Sequence, residues 1–269
     1  MAEYTAVSQT THALKSWHRI DSLQFFVGER TAPLVAAEFP RACVSFPIAW
    51  VDNAGSYEPI ALMGLVESQN LLIDVALRWI GGYMPAHLRA QPFRLIATDS
   101  AQFTLGVRED IGLVTDDDSG NPFFNEEGEL SAQLHQIVDM LHKLEINRVA
   151  TQAASQALAD TGLLRPWQVS PVINGKRRHL YGLFHVPQQS LNDLDAKTLA
   201  DLRDNGALAM AYCQQVSQVL IKRLEKLHER RAKEQVKRSI HPADQGGFGL
   251  QFDEENGDIS FGGMDGYDD

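Results

Sequence analysis

The hydrophobic period of this chain changes near its middle, and neither an all-helical nor an all-strand fold accommodates both halves. From Leu23 to about Thr115 the apolar residues fall in short β-prone runs (FPIAWV, EPIALMGLV, QNLLIDVAL, FRLIA, FTLGV). Turn formers such as Asp52, Asn53 and Gly55 separate them, a pattern of hairpins or a meander. Within PLVAAEFPRACVSF, the residues Leu34, Val35, Glu38 and Phe39 fit a short helix that Pro40 would interrupt. The polar stretch Asp116 to Glu129 marks a boundary or long loop.

Beyond that loop Leu134, Ile137, Val138, Leu141 and Leu144 recur at helical spacing. A long helix follows, with a break expected near Asn147 and a stop at Gly162 and Pro166. Asn174-Gly175, between β-prone runs, predicts a hairpin, because both central positions of a type I′ turn need positive φ. On its second arm Leu180, Gly182, Phe184 and Val186 fall on one face, and His179, Tyr181, Leu183 and His185 on the other. From Ala196 onward the composition is helical, with Gly206 separating a short helix from a long one.

The expected fold class is therefore α+β: mostly antiparallel sheet with short helices first, then long helices and a hairpin. At 269 residues, 44% hydrophobic and 22% charged, the chain can bury a sizeable core. The expected division is an N-terminal extension over 1–22, one α+β domain over 23–240 ending in a long basic helix, and an acidic glycine-rich tail over 241–269.

Charge is unevenly placed on this chain of net −11. Lys222 to Arg238 holds eight Lys/Arg against three Asp/Glu, whereas Ala243 to Asp269 holds eight Asp/Glu and no Lys/Arg. An acidic body repels phosphate backbones, so nucleic-acid binding is disfavoured except through the basic helix. The last turns of that helix carry only Val236 as a sizeable apolar group, so they meet solvent or a partner. Arg230, Arg231 and Lys237 are its candidate interaction residues.

The tail alternates in a way a random acidic segment would not. With Asn256-Gly257 as a two-residue turn, Phe252 faces Phe261 and Glu255 faces Asp258. Phe248, Leu250, Phe252, Ile259 and Phe261 then share one face. An isolated hairpin is marginal in water, so it orders only where that face docks on the body or another chain, and the alternative is a disordered acidic tail. Phe248, Phe252 and Phe261 are its candidate contacts.

The two cysteines, Cys43 and Cys213, have apolar or small neighbours and read as buried thiols acting as small hydrophobes. A disulfide has no sequence support, so a reducing compartment is the default. No basic-then-apolar leader opens the chain, and no apolar run approaches the ~20 residues a membrane span needs. The localisation expected by default is cytoplasmic, with leaderless export to the cell surface left open.

No catalytic signature stands out. Metal-ligand spacings are missing: His135 and His142 lie seven apart on a helix, about 10 Å along its axis. There is no GxxxxGK[ST], no GxSxG and no full dinucleotide fingerprint. No metal or cofactor is expected. Ser/His/Asp constellations stay open, since their members meet only in the fold. One cluster has the composition of a ligand groove: Trp79, Tyr83 and Arg89 in RWIGGYMPAHLRAQPF, with Glu38 and Arg41 as further candidates. The plainer alternative is a loop nailed to the core by its aromatics.

The ordered runs AAEFPRACVSFPIAWV, EPIALMGL, QNLLID, RWIGGYMPAHLRAQPF, GLLRPW, LYGLFHV, LNDLD and LRDNGALAMAYCQQVSQ resemble the SapC family of bacterial proteins, over about Leu23 to Lys226. This family is distinct from the peptide-transport permease of the same name. The resemblance implies an association with paracrystalline surface layers, and with gene clusters that hold oxygenases, flavin halogenases and outer-membrane receptors. It assigns no catalytic residue. Outside it, GGFGLQ resembles one calcium-binding GGxGxDxUx secretion repeat, but Gln251 stands where Asp is required.

The expected function is a non-enzymatic interaction or assembly protein, pairing with itself or with protein partners. The alternative is an enzyme or accessory in amino-acid or peptide modification, sited around Trp79 to Phe93.

Overall fold

The computed structural model describes residues 3–20, 22–98, 102–240, 250–252 and 259–261, with side chains described through 234. By its contacts the chain divides into two units, Met1–His228 and Glu229–Asp269.

In the first unit the strands are β1 (Thr5–Ala6), β2 (Ser16–Trp17), β3 (Thr31–Pro33), β4 (Ile48–Asn53), β5 (Ser56–Leu62), β6 (Phe93–Ala97) and β7 (Phe103–Val107). They continue with β8 (Val114–Thr115), β9 (Asn121–Pro122), β10 (Arg165–Pro166), β11 (Val172–Ile173), β12 (Lys176–Arg177) and β13 (Leu183–His185). The helices are α1 (Gln9–His12), α2 (Phe39–Ala42), α3 (Ala86–Arg89), α4 (Ala132–Asp160), α5 (Gln188–Asn192), α6 (Ala196–Asp204) and α7 (Ala207–Ser217). The helix α8 (Ile221–Ile240) runs on into the second unit.

Every described strand pairing is antiparallel. One sheet has the order β10-β13-β4-β5-β3, a second β1-β7-β6 and a third β8-β2-β9, with β11-β12 as a separate hairpin. This is the α+β architecture the change of period implies. Ala54 and Gly55, at φ 53° and 89°, close the β4-β5 hairpin, and the Asp52 carboxylate accepts from the Gly55 amide at 2.7 Å. Asn174 and Gly175, at φ 51° and 75°, close the hairpin expected from their dipeptide.

Two apolar cores form. Trp50, Phe39, Phe46 and Leu72 lie in the larger, where the Trp50 indole donates to Ser155 Oγ at 2.9 Å. Trp17, Phe93, Phe123, Leu134 and Leu141 lie in the smaller. The 29-residue α4 joins them, with Leu134 and Leu141 in one and Ala154 and Leu158 in the other.

Several local expectations change. Pro40 does not interrupt a helix; it sits in the first turn of α2, just after a 3-10 turn over Ala36–Glu38, where a missing N–H costs nothing. Nor does α4 break at Asn147, whose side chain donates to the Lys143 carbonyl at 2.8 Å within the continuous helix. The two-faced arm after Asn174-Gly175 does not form, because Gly182 at φ 76° turns the chain and puts both Leu183 and Val186 inside. Residues set apart in the sequence as an extension supply β1, paired with β7, and bring Trp17, 1% exposed, into the smaller core.

In the second unit, the exposed surface of α8 carries the ion pairs Glu229–Lys233 at 2.8 Å and Arg230–Glu234 at 3.8 Å. The strands β14 (Leu250–Phe252) and β15 (Ile259–Phe261) pair with Phe252 opposite Ile259 and Leu250 opposite Phe261. The pairing of Phe252 with Phe261 read from the sequence is therefore off by two positions.

Candidate functional site

The structure brings Glu38, Trp79, Tyr83 and Arg89 together. Glu38, 5% exposed, accepts at Oε2 from the Val35 amide at 3.0 Å. Its Oε1 accepts from the Tyr83 hydroxyl at 2.9 Å and the Ala86 amide at 2.7 Å. Arg89 donates to the Tyr83 oxygen at 3.0 Å and the Met84 carbonyl at 3.1 Å, with its guanidinium 5.5 Å from the Tyr83 ring centroid. The Trp79 indole donates to the Tyr83 carbonyl at 3.0 Å. Burial, then the neighbouring Glu38, raises the Tyr83 hydroxyl above its ordinary pKa. Gly81 permits this folding-back, since a Cβ there would sit 2.7 Å from the Trp79 ring.

Arg41 joins only through its backbone: its carbonyl accepts from Ser45 Oγ at 3.0 Å, and that oxygen in turn accepts from the Tyr83 amide at 3.0 Å. The Arg41 side chain itself is exposed. Three protein donors thus occupy the Glu38 carboxylate, which braces the start of α3 against the turn before α2.

Beside this brace runs a groove of ≈ 690 Å³ that no sequence motif announces. Leu34 and Glu38, the β5 residues Tyr57 to Pro59, the β6 strand, and Leu141 to Gln152 of α4 line it. Its β6 wall is the outer strand of its sheet. The Pro92 carbonyl accepts from the Arg108 amide at 2.9 Å and the Thr98 amide donates to Gln102 at 2.7 Å, in register with Arg94↔Gly106 and Ile96↔Thr104. Even-numbered positions of β6 therefore bond to β7, and the N–H and C=O of Leu95 and Ala97 turn outward.

The β5 wall is open for a related reason. The Leu62 amide donates to Pro47 at 2.8 Å, so even positions face β4 and odd ones face β3. β3 ends at Pro33 opposite Ile60, and the Leu34 amide takes the Pro59 carbonyl at 3.0 Å. Tyr57 lies beyond that last contact. Among the described residues no strand pairs with the outward groups of Tyr57, Leu95 or Ala97.

The charges in the groove are mixed. Arg148 holds Glu145 in a bidentate pair at 2.8 and 2.7 Å, and this keeps the Glu145 carboxyl below its ordinary pKa. Arg94 lies 5.9 Å from the Tyr4 ring centroid. Burial, then Arg94 and Arg108, lowers the His87 imidazole.

The fold also gathers one Ser/His/Asp set. Ser119 Oγ lies 3.4 Å from His18 Nε2, but it donates to Asp117 at 2.6 Å, and Asp117 accepts from Thr115 as well. The carboxylate therefore holds the serine, not the far side of the imidazole, which is not the wiring that activates a nucleophile. Among the described residues no group of three or more His, Cys, Asp or Glu is placed to hold a metal ion, and no helix is long and apolar enough to cross a membrane.

Of the sequence-derived interaction residues, Arg230 is exposed on α8, while Arg231 is half-buried. Lys237, Phe252 and Phe261 fall in elements whose side chains are not described there, and Phe248 lies outside the described residues.

Fold and groove together define an α+β protein with two antiparallel sheets opening onto a common cleft against one long helix. The SapC family model matches residues 7–224, most of the chain, and the chain belongs to that family. No curated protein and no solved structure matches it.

Proposed function

We propose that the protein is a non-enzymatic interaction protein that takes an extended segment of a partner protein into the groove between β5, β6 and α4. The outward backbone groups of Leu95 and Ala97 carry this reading. An open strand edge is a template for another strand, and backbone pairing supplies affinity while alternate side chains supply selectivity. Leu95, Phe103, Leu141 and Leu144 offer apolar surface to every second side chain of such a segment, and Arg94 offers charge to an acidic one. The Glu38 brace fits this reading as scaffold, since protein donors already engage its carboxylate.

Short linear peptides selected against the full chain from a random displayed library test it. Binders whose affinity falls at least tenfold when alternate backbone amides are methylated, and little when the intervening ones are, support strand addition. Leu95→Pro removes an outward N–H while leaving the ladder to β7 in place, and should weaken the same peptides with an unchanged circular dichroism spectrum. An empty selection, or binders indifferent to both changes, overturns the reading.

A further inference from the structure

The chain has two cysteines, 43 and 213, far apart in sequence. The fold sets them side by side. Cys43 follows α2 directly and Cys213 lies on α7, and these helices pack on each other at the edge of the larger core. Cys43 is the group whose proximity, after burial, acts on the Cys213 thiol, and Cys43 Sγ lies 3.6 Å from the Pro40 carbonyl, to which it donates. Both sulfurs are free. Cys43 is buried and Cys213 half-buried, so a small oxidant reaches Cys213 first.

We infer that Cys43 and Cys213 are a covalent modification site, converted to an intramolecular disulfide by low-molecular-weight disulfides such as glutathione disulfide. The Cys213 thiolate attacks one sulfur of glutathione disulfide, breaking its S–S bond and releasing one glutathione thiolate. The Cys43 thiolate then attacks Cys213 Sγ in the mixed disulfide, forming the protein S–S bond and expelling the second glutathione. The two protein thiols lose two electrons and two protons, and glutathione disulfide is reduced to two glutathione thiols. Burial, then the adjacent Cys43, pushes the Cys213 thiol up to about 11. Thiolate is therefore scarce near neutrality, so the exchange is slow and Cys213 is ill suited to act as a nucleophile in turnover.

Such a bond would fasten α2, and the Glu38 turn preceding it, to α7 across most of the chain. Long loops closed by a disulfide give the largest restriction of the unfolded state, so the oxidised form should melt about 10 °C higher.

The experiment incubates the native full chain with glutathione disulfide, quenches with acid, alkylates the remaining thiols and maps the peptides by mass. A monomer carrying one Cys43–Cys213 linked peptide, no alkylated thiol and a raised Tm reversed by dithiothreitol is expected. Cys43→Ser, a small change at a site near the helix end, should instead stop at a mixed disulfide on Cys213 and show no rise in Tm. Two alkylatable thiols after prolonged oxidation, stable glutathione adducts on the unaltered chain, or disulfide-linked dimers would each overturn the inference.

Discussion

Glu38 Oε1 accepts from the Tyr83 hydroxyl at 2.9 Å and from the Ala86 amide at 2.7 Å, so one buried carboxylate joins the turn before α2 to the start of α3. Removing an acceptor that satisfies buried donors costs more than the bonds themselves are worth. Glu38→Ala should destabilise the protein by about 2–4 kcal/mol, and Tyr83→Phe by about 1–2 kcal/mol. Urea unfolding measures both, and the double variant should cost less than their sum because the two share one bond.

A second buried contact reaches across the larger core. Ser217 Oγ accepts from the Ile48 amide at 2.9 Å and donates to the Gln214 carbonyl at 2.7 Å, with both residues fully buried. Ser217→Ala orphans the Ile48 N–H at the head of β4 and should cost about 1–3 kcal/mol. Urea unfolding and amide exchange at Ile48 check this: exchange should accelerate there before it does elsewhere in β4.

The Glu145–Arg148 pair sets an acid-side dependence. Arg148 holds the folded Glu145 carboxyl below its ordinary pKa. A depressed folded pKa contributes stability that is present above the unfolded value and lost as pH falls through the folded one. Both side chains are partly exposed, at 23% and 55%, so screening limits the contribution to less than about 1 kcal/mol. Glu145→Gln should lower stability slightly at pH 7 and leave it unchanged near pH 2. Equal losses at both pH values would contradict the assignment.

Charge separation at the end of the chain gives a salt-sensitive prediction. Lys222 to Arg238 is basic and Ala243 to Asp269 acidic, and exposed ion pairs of this kind weaken with salt. Size-exclusion mass should exceed that of a monomer at low salt for the full chain. It should fall to monomer at high salt, and in a chain ending at Pro242. A monomer under all conditions rules out self-association through these segments.

Local chemistry made much of the fold legible. Asn174-Gly175 and Gly206 sit where positive φ is required, and the spacing from Leu134 to Leu144 marked the buried face of α4. Those signals reside in a few adjacent residues. The break expected at Asn147 failed because its side chain bonds back within the helix, and Gly182 ended an alternation that side-chain pattern alone would have continued.

The groove was not legible, for a physical reason. It depends on which edge of β6 faces β7 and on β3 ending short of Tyr57, and neither pairing leaves a mark in the composition of those strands. The cysteine pair was hidden likewise, because α2 and α7 meet only in the fold. The Trp79, Tyr83 and Arg89 cluster was found by its aromatic and glycine content, yet only the structure gives Glu38 its three donors.

Amide hydrogen exchange at Leu95 and Ala97, read with and without a selected peptide bound, tests the strand-addition account most directly. The account predicts that both amides slow at least tenfold on binding, while the neighbouring Arg94 and Ile96 amides, already bonded to β7, change little. A peptide that binds and leaves Leu95 and Ala97 exchanging at their free rates would contradict it.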